Sequence, residues 1–229
     1  MIAFLSRAAL FAALFYCTAA AGAPGTVLDP GYGAPQYEPP APGSYQLPPL
    51  GIATDGKVLN DLGEQLALQD LIGDKLVLLG FIYTHCSDVN GCPLATFVMK
   101  KVQDRLVQDA GLAPQVRLIS LSFDPVQDTP AALLDYAGHF RSKDFDWQFL
   151  TTASEADLLP ILEGYDQWRQ REYDKDGNYT GNISHILRLF LIDRQGRIRN
   201  IYSSGFLDAD TVVNDLLTLG IESRAAAGS

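Results

Sequence analysis

A chain of 229 residues that is 47% apolar and 19% charged has the composition of one globular domain with some extra chain, which excludes a disordered protein and a polytopic membrane protein. Its 17 basic and 27 acidic side chains give a net charge of -10, a field that repels phosphate backbones and anionic lipid, so no nucleic-acid partner is expected. Three cysteines are too few for a disulfide scaffold, and their placement says more than their number.

Near the start of the chain, Ala8–Ala21 is an uncharged stretch after Arg7 that contains Cys17 and ends in Ala19-Ala20-Ala21. It is shorter than the ~20 residues of a spanning helix. Residues 1–21 therefore read as a secretory signal peptide, with an uncleaved membrane anchor as the alternative. Either way the protein is expected to be exported, periplasmic or membrane-anchored, with Cys86 and Cys92 facing an oxidising compartment. Residues 22–50 hold eight of the 13 prolines and five glycines, the composition of an extended, semi-rigid linker that could serve as a membrane tether.

Regular periodicity starts at Gly51. Leu50–Leu68 alternates apolar patches with Asp55-Gly56 and Asn60-Asp61, which predicts a hairpin. The unbroken apolar run Leu76–Tyr83 predicts a strand buried on both faces. After Pro93, Leu94, Phe97, Val98, Val102 and Leu106 are assigned to one face of a helix ending near Gly111, and Val116–Phe123 is a second buried strand. Asp128-Thr129-Pro130 opens a helix that runs to about Phe140, with a capping side chain and a proline at its first position. Trp147–Leu150 is a short strand and Ser154–Tyr165 a helix capped at Ser154. Ile186–Ile192 and Ile198–Tyr202 form a hairpin turned at Arg194-Gln195-Gly196, and a last helix covers about Asp208–Leu219. This order predicts an α/β, thioredoxin-like fold over 51–221, with a mixed central sheet and extra hairpins, and a disordered tail at 222–229.

The chemistry gathers where the first buried strand ends, in Phe81-Ile-Tyr-Thr-His-Cys86-Ser-Asp-Val-Asn-Gly-Cys92-Pro93. Ligands bind beyond the carboxyl ends of strands in open α/β sheets, so this loop is well placed. Cys92 adjoins a helix N-terminus, where the macrodipole favours a thiolate. Two thiols on one loop can close a disulfide or hold a soft metal.

Three separated motifs carry a family resemblance. Leu79-Gly-Phe-Ile-Tyr-Thr-His-Cys-Ser-Asp-Val with Cys92-Pro93-Leu94, Ser122-Phe-Asp-Pro-Val-Gln-Asp-Thr-Pro130, and Ser184-His185 leading into Leu189-Phe-Leu-Ile-Asp-Arg-Gln-Gly196 stand in the order found in the Sco/SenC family of copper-delivery proteins. The chain resembles that family from about Leu47 to Leu219. The resemblance implies a thioredoxin-like fold and a copper site, Cu(I) or Cu(II), formed by Cys86, Cys92 and His185 with Asp124 as an outer or weak partner. It also implies delivery of copper to, or reduction of thiols in, the binuclear copper centre of cytochrome c oxidase or a related cuproenzyme, with a thiol reductant as second partner.

The family's cysteines normally have three residues between them, whereas Cys86 and Cys92 have five, and Asn90-Gly91 reads as an inserted turn. Two thiolates suit Cu(I), and an imidazole adds affinity for Cu(II). His85 adjoins Cys86, where it could tune the thiol's acidity or simply fill the loop, and His139 reads as solvated. Asp174-Lys-Asp-Gly-Asn178 is a hairpin turn: its glycine is at the fourth position and no glutamate closes a calcium loop. Asn178-Tyr-Thr180 and Asn182-Ile-Ser184 fit the glycosylation pattern, which matters only in a pathway that glycosylates. Two function classes remain: a metallochaperone without turnover, and an exported thiol-disulfide oxidoreductase using Cys86 and Cys92 as its redox pair. The missing C-x-x-C spacing favours the first.

Overall fold

The computed structural model describes residues 37–227 apart from 87, 89 and 90. The signal or anchor reading of 1–21 and residues 22–36 of the linker lie outside the described residues. Among the described residues no helix is long and apolar enough to cross a membrane.

An eight-stranded mixed sheet organises the domain. Its centre is β4 (Leu76–Ile82), a run of seven residues that are all buried, as the unbroken apolar sequence demands. Parallel to it runs β5 (Val116–Ser122), which in turn pairs in parallel with β6 (Trp147–Thr151). On the other side of β4, β9 (Arg188–Ile192) is antiparallel and forms a hairpin with β10 (Arg197–Ser203). Gly196, at φ 72, makes the expected turn, and Asp193 Oδ1 accepts from the backbone N–H groups of Gln195 and Arg197. The short β1 (Gly51–Ile52) edges β10, while β2 (Lys57–Asn60) and β3 (Gln65–Ala67) form a hairpin beside β6. Of the stretch 50–68, therefore, only the second half makes the predicted hairpin.

Among the described residues the α-helices packed around this sheet are α1 (Leu68–Ile72), α2 (Cys92–Leu106), α3 (Pro130–Gly138), α4 (Glu155–Gly164) and α5 (Ala209–Ala227). Thr129 caps α3 by accepting from Ala132 N, with Pro130 next, and Ser154 caps α4 by accepting from Asp157 N. Helix α2 lies over β4 and against α5. It buries Leu94, Val98, Val102 and Leu106 as expected, but Phe97 is exposed. At 100° per residue Phe97 falls well off the arc shared by those four, and Lys101 Nζ covers its ring at 4.5 Å instead. A cluster of edge-on rings fills the core beside β4: Phe81 meets Tyr165 at 5.6 Å and Phe190 at 6.2 Å between centroids.

Three sequence expectations need correction. The disordered tail at 222–229 is helical through Ala227: α5 continues on an alanine-rich segment, and Arg199 ties Glu222 to β10 at 2.8 Å. The second half of the 22–50 linker is docked rather than a free spacer. Leu47 is buried, Gly43 N donates to Thr218 Oγ1 at 2.9 Å, and the Tyr45 hydroxyl donates to Asp215, which also accepts from Asn200 and Tyr202. Composition gave no sign of this, because one leucine and two tyrosines suffice when a helix and a strand supply the polar partners. Finally, Ile186 precedes β9, and a separate hairpin of β7 (Arg169–Tyr173) and β8 (Tyr179–His185) surrounds the turn at Asp174–Asn178. The strand β7 is charged and β8 largely polar, with no apolar run to announce them.

Candidate metal centre

Ile82 and Ser122 are register partners on parallel strands, so the loops after β4 and β5 leave the sheet side by side. The first carries Cys86. Its entry is pinned by Asp128, a fully buried carboxylate at the end of the second loop. Thr84 donates to it from both N, at 3.1 Å, and Oγ1, at 2.5 Å, and Ser122 Oγ donates at 2.5 Å. Burial pushes the Asp128 carboxyl up, and the hydrogen bonds from Ser122 and Thr84 pull it back.

The loop returns at Gly91, whose N–H donates to Asp88 O at 2.9 Å and whose carbonyl accepts from Ala95 N at 3.2 Å. Gly91 thus closes a turn with Asp88 and is also the N-cap of α2. A Cβ on Gly91 would lie 3.3 Å from each of Cys86 Sγ, His185 Nε2 and Asp88 O. Its missing side chain is the room between the first two. Asn90, the other half of the proposed insertion, lies outside the described residues.

Cys92 is the first residue of α2, buried, with Tyr83 N donating to its sulfur at 3.4 Å and His185 Nε2 at 3.3 Å from it. Pro93 follows where a helix needs no N–H. His185 ends β8, so the hairpin whose turn the sequence marks at Asp174–Asn178 is the element that delivers the third group. Phe123 and Tyr83 hold its ring at centroid distances of 4.8 and 5.9 Å, and Nδ1 is buried with no hydrogen-bond partner among the described residues. One donor atom each from Cys86, Cys92 and His185 lies within 4.8 Å of the others. Two soft sulfurs and a borderline imidazole, with a glycine leaving the space open, fit a soft or borderline metal ion.

Asp124 is not in this group. It is buried, and Arg171 Nη2 donates to its Oδ1 at 3.4 Å. His85 is exposed, with Nδ1 2.9 Å from Thr84 Oγ1, and His139 is exposed at the end of α3. The residues sequence reasoning did not assign to the site are Tyr83, Thr84, Gly91, Phe123 and Asp128. Tyr83, Thr84, Phe123 and Asp128 lie inside the motifs quoted for the family resemblance and Gly91 in the gap of the first, but nothing in their types announces that they face one another.

The two thiols differ. Cys86 is lowered to about 4, chiefly by the hydrogen bond from Cys92, with His185 assisting and burial opposing. Burial pushes Cys92 well above the thiol range. The sequence reading placed the thiolate at Cys92 because of the helix dipole; desolvation outweighs the dipole there, and the negative charge sits on Cys86. In reduced, metal-free protein, alkylation of Cys86 by iodoacetamide should therefore titrate far below the ordinary thiol range, near 4, with Cys92 protected. A single midpoint near 9 for both cysteines would contradict this. Because the unfolded chain binds more protons at Cys86, that thiol contributes stability that grows as pH rises from about 4 towards 9. Cys92 acts oppositely, and its contribution is lost at pH above 9.

Fold and centre together define a thioredoxin-like domain that holds two thiols and one imidazole at the carboxyl end of its central strands. Known proteins resemble this chain in sequence and fold. The sequence model of the SCO1/SenC family matches residues 52–219. The SCO1 protein homolog of Bacillus subtilis is 32% identical over 145 residues, 63% of this chain and 69% of that protein. The structure of Bradyrhizobium japonicum ScoI with copper bound is 27% identical, with a TM-score of 0.59 over 72% of this chain and 97% of that one. BsSco, described as a member of the Sco family of cytochrome c oxidase assembly proteins with a disulfide switch, is 24% identical, with a TM-score of 0.58 over 76% of this chain and 96% of that one. The chain belongs to the SCO1/SenC family.

Proposed function

We propose that this protein is a copper metallochaperone that takes up one copper ion through Cys86, Cys92 and His185 and passes it to the copper centre of cytochrome c oxidase or of a related cuproenzyme. The observation that carries this reading is the cluster itself: three donor atoms from a loop, a helix start and a hairpin end, within 4.8 Å, around the gap left by Gly91. Family membership and the copper-bound Bradyrhizobium structure support copper as the cargo.

The chain's own groups set the order of uptake. Cys86 offers a ready thiolate, copper arriving there lowers the acidity barrier at the adjacent Cys92, and the Cys92 proton leaves to water. His185 then supplies the imidazole that makes the site tolerant of Cu(II), its ring already aimed by Phe123 and Tyr83. An exported or membrane-anchored location puts the dithiol where it oxidises to a Cys86–Cys92 disulfide, so a thiol reductant is a required second partner. Both sulfurs already lie within reach of one another.

Anaerobic titration of the reduced full chain with Cu(I), in competition with a chelator of known affinity, should show one equivalent bound with at least about micromolar affinity. Failure to compete with a micromolar chelator overturns the reading.

A further inference from the structure

His185 and His85 are held in opposite ways. The His185 ring is fixed by aromatic packing, and its buried Nδ1 has no hydrogen-bond partner among the described residues. The His85 ring is fixed by a hydrogen-bond chain: Nδ1 lies 2.9 Å from Thr84 Oγ1, which donates at 2.5 Å to Oδ1 of the buried Asp128. Thr84 has one hydroxyl proton, and it is spent on the carboxylate. Towards His85 the threonine oxygen can only accept, so Nδ1 carries the ring proton and Nε2 is left as the lone-pair atom. The Asp128 carboxylate, 4.0 Å from Nδ1, favours the same form. One ring nitrogen is thus tied through a hydroxyl to a carboxylate while the other is freed, a relayed form of the outer support that metal-binding histidines usually have. Here it serves a ring that stands outside the three-residue cluster, next to Cys86, with a side chain 67% exposed.

We propose that His85 is a transfer ligand, which bonds copper through Nε2 on the exposed side of Cys86 while the ion enters or leaves the Cys86, Cys92 and His185 cluster. The inference rests on the copper reading above. The step is a ligand exchange with no change of oxidation state. On entry, the Nε2 lone pair forms a bond to Cu(I) as one donor of the delivering molecule departs; the Cys86 thiolate then bonds the ion as the last such donor leaves, the second thiol follows with loss of its proton to water, and the Nε2 bond breaks as His185 takes its place. On exit the order reverses. A histidine suits this role because imidazole holds Cu(I) less tightly than a thiolate does, so the ion is not trapped at the exposed position.

Two measurements on the full reduced chain test the proposal. In copper-free protein at about pH 8, above the ordinary histidine range, 15N NMR of the imidazole rings should show His85 protonated at Nδ1, and Thr84→Val should shift it towards the Nε2–H form. In Cu(I)-loaded protein, His85→Ala should slow transfer of copper to an excess of the chelator bicinchoninate by about tenfold or more. Its equilibrium affinity should stay within about threefold of the parent. A purely structural role for His85 would instead lower affinity and rate together, and that result overturns the proposal. So does an unchanged transfer rate, or a parent protein that takes up copper with His85 in the Nε2–H form. A parent that takes up no Cu(I) overturns the copper reading itself.

Discussion

Cys86→Ser and Cys92→Ser should each lower Cu(I) affinity by about three orders of magnitude, or about 4 kcal/mol. Each replaces one of only two soft donors in the cluster by a hard hydroxyl that stays protonated at neutral pH. The two routes to that loss differ. Removing Cys86 takes away the thiolate that is ready before copper arrives, so uptake should slow as well as weaken. Removing Cys92 deprives Cys86 of the hydrogen bond that contributes most to its acidity, so the remaining thiol should titrate closer to the ordinary range. His185→Ala should weaken Cu(II) more than Cu(I), because imidazole matters more to the harder ion. Chelator competition for each ion, with circular dichroism to confirm folding, measures all three. Parent-like affinity for both ions in all three variants would remove these residues from the site.

The largest expected loss of stability comes from Phe81→Ala, at about 3–5 kcal/mol by the usual cost of emptying an aromatic site in a core. Phe81 is 2% exposed, on the central strand, and edge-on to both Tyr165 and Phe190. Those two rings contact each other at 5.0 Å, so they close one side of the vacancy but cannot fill it. Urea unfolding followed by fluorescence should show a lowered midpoint, with one copper still bound per folded molecule below the transition. The donors are anchored by other residues: Asp128 for the Cys86 loop, Gly91 and α2 for Cys92, Phe123 and Tyr83 for His185. A cost below about 1 kcal/mol would mean that the ring cluster is not packed as described.

The parts of the fold legible in the sequence are those whose burial is one-sided or complete. The strand β4 reads directly from an unbroken apolar run and β5 from the apolar residues of Val116–Phe123, and α3 and α4 from Thr129 with Pro130 and from Ser154. The turn of the hairpin β7–β8 is legible at Asp174–Asn178, but its strands are not, because they lie outside the main sheet and their side chains satisfy no apolar period. Yet its last residue is His185. The histidine could be named from its motif, but the element that carries it could not. The docking of Tyr45 and Leu47 depends on partners from β10 and α5, more than 150 residues away in sequence. Asn90-Gly91 marks a turn locally, and Gly91 N does close one with Asp88 O, but only the folded loop shows that the glycine's lack of a side chain makes room between Cys86 and His185. The thiolate was placed on the wrong cysteine because a helix dipole can be read from sequence and the burial of a particular sulfur cannot.

The central claim is that one copper ion sits among Cys86, Cys92 and His185. X-ray absorption at the copper edge of the anaerobically loaded, reduced full chain addresses it most directly. Two sulfurs and one imidazole nitrogen should surround the metal, with sulfur at about 2.3 Å by analogy with zinc thiolates, and the nitrogen shell should vanish in His185→Ala. A copper shell without sulfur, or one unaltered by that substitution, would contradict the claim.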